Sequence, residues 1–346
     1  MNSDNSYLKN PMNDSLTSDG ADCHQFCSVV SKNNGEDPIG TAGNYDCWLI
    51  VELPQPWAEE FWLETPVLQP LLPVLQKLIL QGGLKFRPLA IARDCQYSNP
   101  DLTRVLYYTR RDRLLAQFDR QEYILPFEQM GSLAIALLTN SSKIAEFEQY
   151  RQNNAILRDL LVCTHGNVDL ACARFGNPIY QQLRQQSATE GKFRVWRCSH
   201  FGGHRFAPTL IDLPSGRYWG HIEPESLPLI LARQGDVTAL RRFYRGWAGL
   251  SPLAQIVDRE IWLQVGWDWF DDLKSGEVLD REATKQERYA TWGEVKIDFS
   301  CPRTGQSGSY TARVERTHQV STLGDSGETQ LARLNQYRVV NLNLET

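Results

Sequence analysis

The strongest constraint on this chain is an order of apolar runs that occurs twice. In the first occurrence Cys47–Leu53 (CWLIVEL) is a short apolar run closed by Pro54, the pattern of a buried strand. Val67–Leu80 carries apolar residues at helical spacing, with Pro73 as a kink or boundary and Gly82-Gly83 ending it. Leu84–Ala92, Arg104–Thr109 and Gln121–Leu125 then read as strands, and Pro126–Leu138 as a helix. The second occurrence opens with Ile156–Cys163, which ends in the apolar strand DLLVC. Ala171–Gln186 reads as a helix that Pro178 could interrupt, and Phe193–Cys198 alternates as a strand. Thr209–Leu213 and Arg217–His221 form a hairpin around Pro214-Ser215-Gly216, and Leu227–Arg233 is a closing helix.

Two β-α-β-β-α units in tandem define an α/β (α+β) chain and suggest a duplicated thioredoxin-like layout. The expected organisation is a tail over 1–21 without periodicity and an N-terminal α/β domain over 22–150. A thioredoxin-like domain over 151–236 and a C-terminal extension over 237–346 follow. In the extension, Val237–Gly246 and Pro252–Leu273 read as helices, and Tyr289–Phe299, Tyr310–Val320 and Gln336–Asn343 as three strands of a small antiparallel sheet. The tryptophans of the second helical stretch read as a packing face. A formal charge of −5, from 36 Lys+Arg against 41 Asp+Glu, gives no broadly basic surface. Nucleic acid and anionic membranes are therefore not the expected partners. No apolar stretch is long enough to span a bilayer. The first twenty residues lack an apolar core of the signal-peptide kind, so a cytoplasmic chain with reduced thiols is expected. Oligomeric state is left open.

Eight Cys and six His are the informative part of the composition. Cys163 to His204 reads C-THGNVDLA-C, then 27 residues, then H-FGG-H. All four residues are soft or borderline metal ligands. Cys163 ends a predicted strand and leads into a predicted helix, where the helix N-terminus and backbone N–H groups favour thiolate. His200 and His204 lie on a loop whose Gly202 and Gly203 have no Cβ, so the backbone can approach an inorganic centre and curl both imidazoles onto it. Alone, each would read as a buried thiol or a surface histidine; two pairs at sheet edges point to a metal. By donor type, tetrahedral Cys₂His₂ zinc is the default, although cysteines nine positions apart are not a zinc-finger spacing.

At these residues the sequence resembles the sucrase/ferredoxin-like family. The likeness rests on C-x₈-C followed by H-x-G-G-H, with Thr164-His165-Gly166 after the first Cys and Asp169 before the second. His200–Pro208 (HFGGHRFAP), the hairpin Leu213–Gly220 (LPSGRYWG) and the block Phe26–Trp57 extend it. The resemblance implies a thioredoxin-like ferredoxin whose [2Fe–2S] cluster is held by Cys163 and Cys172 on one iron and by His200 and His204 on the other. It implies an electron carrier more than a catalyst, with an unidentified redox partner such as a reductase. Neutral imidazole in place of thiolate removes negative charge and stabilises the reduced form. The same exchange puts Rieske centres at about −150 to +300 mV, against about −400 mV for plant-type clusters. A zinc-binding interaction protein and a thiol-based redox enzyme are the alternatives; the latter lacks the C-x-x-C its chemistry wants.

Around the ligands, His165 could donate to a cluster sulfur or a partner, or be bonded to backbone. Arg205 could tune the potential or dock a partner, or be a solvated surface residue. Asp169 reads as a helix cap before a ligand. Cys198, two residues from His200, reads as a buried packing thiol. Cys23 and Cys27 form a C-x₃-C without a partner pair, and Cys47, Cys95 and Cys301 read as packing residues. Gly40-Thr-Ala-Gly43 lacks a full phosphate-loop pattern. Asp268, Asp271 and Asp272 read as a solvated helix end, so no glycosidase carboxylate pair is expected.

Overall fold

A computed structural model describes residues 25–153, 158–190 and 192–345. The tail over 1–21 and Cys23 lie outside the described residues. In the first lobe β1 (Cys47–Glu52) is followed by helices α2 (Phe61–Glu64) and α3 (Leu72–Leu80), after α1 (Cys27–Asn33) at the start of the described chain. Then come β2 (Phe86–Ile91), β3 (Thr103–Thr109), β4 (Asp119–Leu125) and α4 (Met130–Leu138). The second lobe repeats the order as β5 (Arg158–Cys163), α5 (Leu170–Glu190), β6 (Phe193–Cys198), β7 (Leu210–Leu213), β8 (Arg217–Trp219) and α6 (Leu227–Ala232). Pro178 lies inside α5 without ending it.

The pairing repeats as well. β1 is parallel to β2 and antiparallel to β3, which pairs with β4; β5 is parallel to β6 and antiparallel to β7, which pairs with β8. The two sets, with one further strand, β9 (Tyr244–Trp247), are joined edge to edge into one nine-stranded sheet of order β4-β3-β1-β2-β6-β5-β7-β8-β9. The seam is the antiparallel pair Ile91↔Cys198, flanked by Ala92 N→Arg197 O at 3.0 Å and Ser199 N→Ala90 O at 2.8 Å. Matching the registers Glu52↔Ile91 and Cys163↔Cys198 makes Glu52 the counterpart of Cys163 across a pseudo-twofold axis at the seam.

A buried ionic network also crosses between the lobes. Arg194 donates to Asp159 of its own lobe and to Glu122 of the other at 2.8 Å; Tyr108 donates to Asp159 at 2.5 Å. Arg104 and Arg120 pair with Glu122 as well. Burying charges this deeply is tolerated because each carboxylate is met by more than one donor.

Beyond Gly235 the structure corrects three expectations. Val237–Phe243 is a 3-10 helix, but Tyr244–Trp247 is a strand, β9, which closes the edge of the main sheet on β8. The Trp-rich stretch stops being α-helical at Val265: α7 is Pro252–Val265, and a strand, β10 (Leu273–Arg281), begins where a helix was expected to end. The second sheet therefore has four strands, β10-β11-β12-β13, with β11 (Trp292–Ser300), β12 (Ser307–Leu323) and β13 (Leu331–Glu345). β10 hid in its own composition, because LKSGEVLDR lies partly exposed and Leu279 stands 53% exposed. Trp262 and Trp269 are buried in the core, Trp269 donating to Asp258 at 2.8 Å.

Candidate metal centre

Cys163 is the last residue of β5, and Cys172 lies in the first turn of α5. The helix lies against the strand end because residue 176 is glycine: a Cβ there would stand 2.0 Å from the Cys163 carbonyl oxygen. Asp169 caps this helix, accepting from Ala171 N at 2.8 Å. His200 and His204 follow β6 on a loop that turns through Gly202 (φ +92°) and Gly203 (φ +82°), a left-handed path that glycine takes without strain. A side chain at 203 would also meet the Arg245 guanidinium, 2.3 Å from its Cβ. Arg245 is itself anchored to Thr41 and to the Gly202 carbonyl. What closely approaches the glycine loop is thus an arginine.

The loop brings the donors together. His200 Nδ1 lies 3.9 Å from Cys163 Sγ and 3.8 Å from Cys172 Sγ, and the two imidazole rings are 5.3 Å apart. Both thiols are buried. Burial pushes the Cys163 thiol up, but hydrogen bonds from Cys172 and His200 outweigh it and hold Cys163 well below the usual thiol range. The same bond to Cys163, with burial, pushes Cys172 well above it. A metal bound here would displace the protons of these thiols. Burial also lowers His200, favouring the neutral imidazole that ligation needs.

The two ring nitrogens of His204 differ in their surroundings. Nε2 meets the Gly324 carbonyl at 2.7 Å and Asp325 Oδ1 at 3.1 Å. Nδ1 is buried with no hydrogen-bond partner among the described residues. The His204 ring stands 5.3 Å from that of His200, while its donor atom groups with those of Cys27 and Asp169, apart from the Cys163–Cys172–His200 triad.

The supporting residues come from far along the chain. His165 is buried and backbone-bonded: one ring nitrogen meets Trp57 O at 3.0 Å, and Nδ1 accepts from His200 N at 3.2 Å. Arg87 donates to His200 O at 2.6 Å. The first lobe thus holds the His200 carbonyl directly through Arg87 and its N–H indirectly, through the His165 that Trp57 bonds. The tip of the β12–β13 hairpin holds His204, and its Ser326 donates to Asp169 from both N and Oγ. Arg205 pairs with Glu36 at 2.7 Å. Cys198 is fully buried and pairs with Cys163 in the β5–β6 register. Cys27 is buried beside Asp169 at 3.8 Å and grouped with His204, while Cys47 and Cys301 pack in the interior. Cys95 is exposed, which corrects its reading as a packing residue; it lies in the open Asp94–Ser98 turn. Asp268 pairs with Arg303 at 2.7 Å, whereas Asp272 is buried, which corrects its reading as part of a solvated helix end. Trp57, Arg87 and Asp325 gave no signal in the sequence, because nothing at separations above a hundred residues marks them as neighbours of the motif.

Fold and site define a two-lobed α/β protein with a buried cluster of two thiols and one imidazole, and a second imidazole, His204, whose ring lies 5.3 Å from the first. The chain belongs to the sucrase/ferredoxin-like family, whose family model matches residues 38–246, more than half of its length. Neither a curated protein nor a solved structure matches it. The matched span covers both lobes and ends within β9, before α7 and the second sheet. Among the described residues no helix is long and apolar enough to cross a membrane.

Proposed function

We propose that this chain is an electron-transfer protein in which Cys163, Cys172, His200 and His204 hold a [2Fe–2S] cluster on a thioredoxin-like lobe, with a reductase as electron donor. The observation that carries the reading is a corner where the Cys163 and Cys172 sulfurs lie 3.9 and 3.8 Å from His200 Nδ1, with the His204 ring, its Nδ1 buried and bare, 5.3 Å from the His200 ring. Such a cluster supplies one-electron chemistry, at a potential raised by the imidazole ligands. The residues do the rest. Buried sulfurs exclude water, His165 and Arg87 fix the His200 backbone, and the His204 Nε2 proton is held against Gly324 O and Asp325. A thiol enzyme is disfavoured because neither Cys163 nor Cys172 reaches the surface.

A second reading has its own support. Cys163, Cys172 and His200 place their donor atoms within 4.8 Å of one another, a spacing that one tetrahedral zinc ion could also bridge. Visible and electron-paramagnetic-resonance spectra of anaerobically purified protein, with iron, sulfide and zinc analysis, separate the two. A red-brown protein with charge-transfer bands supports the cluster, whereas a colourless one with one zinc per chain sinks it. His200→Cys and His204→Cys should keep a cluster at a lower potential; an unchanged potential would overturn the ligand assignment. The midpoint potential should also fall as pH rises, because each ligating imidazole keeps one ionisable N–H.

A further inference from the structure

The second sheet lies outside the family-matched span, yet its longest hairpin ends at the metal centre. β12 and β13 run out together to a tip whose Leu323 is buried with Cys27, Ala171 and Ala207. The tip is built to hold its shape. Glu328 accepts from both Gly324 N and Asp325 N at 3.1 Å, and Gly327 N bonds Gln25 O at 3.1 Å. Ser326 ties it to Asp169, the cap of the helix that carries Cys172. Two acceptors then meet one His204 nitrogen, the Gly324 carbonyl and the Asp325 carboxylate.

We propose that Asp325 is a positioning residue for the metal centre, which together with the Gly324 carbonyl holds His204 as its Nε2–H tautomer so that Nδ1 is the donor. The proposal rests on His204 being a ligand and holds for either metal. A carboxylate on the far nitrogen orients the ring and makes the ligand more basic, and losing such a partner typically costs about 10–100-fold in metal affinity. The Asp325 side chain is 52% exposed, so replacing it leaves the core intact.

The test compares wild type, Asp325→Ala and Asp325→Asn in the full chain, as purified, by competition with a metal chelator and by spectroscopic titration of the midpoint potential. Asp325→Ala should release its metal about 10–100-fold more readily. Asp325→Asn keeps an acceptor oxygen and should restore retention, while its potential rises because the negative charge is gone. Retention by Asp325→Ala equal to wild type, or Asp325→Asn no better than Asp325→Ala, would overturn the proposal. If the wild type carries zinc and no iron, the cluster reading fails, and the same chelator competition on the zinc protein still decides the role of Asp325.

Discussion

His200 and His204 share one loop, but the groups that hold them come from opposite directions along the chain. Arg87 and the Trp57–His165 pair grip the first, and Gly324 with Asp325 grip the second. The loop between them depends on two glycines for different reasons, and a pair of substitutions reads the difference. At 202 an added Cβ meets nothing within 4 Å, so Gly202→Ala should cost only the left-handed backbone penalty, about 1–2 kcal/mol. At 203 the same penalty is joined by the Arg245 guanidinium, whose bonds to Thr41 and Gly202 must break for it to move. Gly203→Ala should therefore be the more destabilising in urea unfolding and should weaken metal retention. Equal costs at the two positions would show that Arg245 yields freely.

At the scale of elements, α5 is the piece that sets the thiol spacing, and Gly176 is why it can lie so close to β5. Alanine in mid-helix is ordinarily better than glycine by about 1 kcal/mol. Here the Cβ would stand 2.0 Å from a backbone oxygen that cannot swing aside. Overpacking at about 1–3 kcal/mol or more should win, so Gly176→Ala lowers the urea midpoint and loosens the Cys163–Cys172 pair. A variant as stable as wild type, with unchanged metal content, would refute this.

Elements and donors were unequally legible in the sequence. The β-α-β-β-α order could be read because most strands of the two units are apolar runs punctuated by Pro or Gly, as CWLIVEL-Pro54 shows. β9 was lost because YRGW follows arginines in a helical-looking stretch, and β10 because it alternates poorly and is half exposed. The four donors stood out by type and spacing. Their supports did not, since Arg87, Trp57 and Asp325 are single unremarkable residues made relevant only by the seam and the hairpin tip.

At the scale of the whole molecule, Lys274 sits where the two sheets meet. It is fully buried, bonds Asp272 O at 2.7 Å, and lies 5.1 and 4.9 Å from the Trp247 and Trp269 ring centres. Burial, with the nearby Arg217 charge, pulls its pKa down to about 7. The unfolded lysine titrates near ~10.4, so between about pH 7 and pH 10 the unfolded chain binds the extra proton, and stability should rise with pH there. Below about pH 7 the penalty is fully present. Lys274→Met removes it, so the variant should melt above wild type at pH 7, with the gap closing towards pH 10. A gap independent of pH would mean that Lys274 does not titrate in this range.

The hairpin tip also has a consequence in time. A chain emerges from the ribosome N-terminus first, and Gly324 follows His204 by 120 residues. Both thiols, both histidines and the whole first lobe are therefore made well before the segment that bonds His204 Nε2. Metal delivered to the nascent chain would meet three held donors and one swinging imidazole. Firm retention should begin only when β12 and β13 have been synthesised and paired, so that a loaded centre reports a formed hairpin tip.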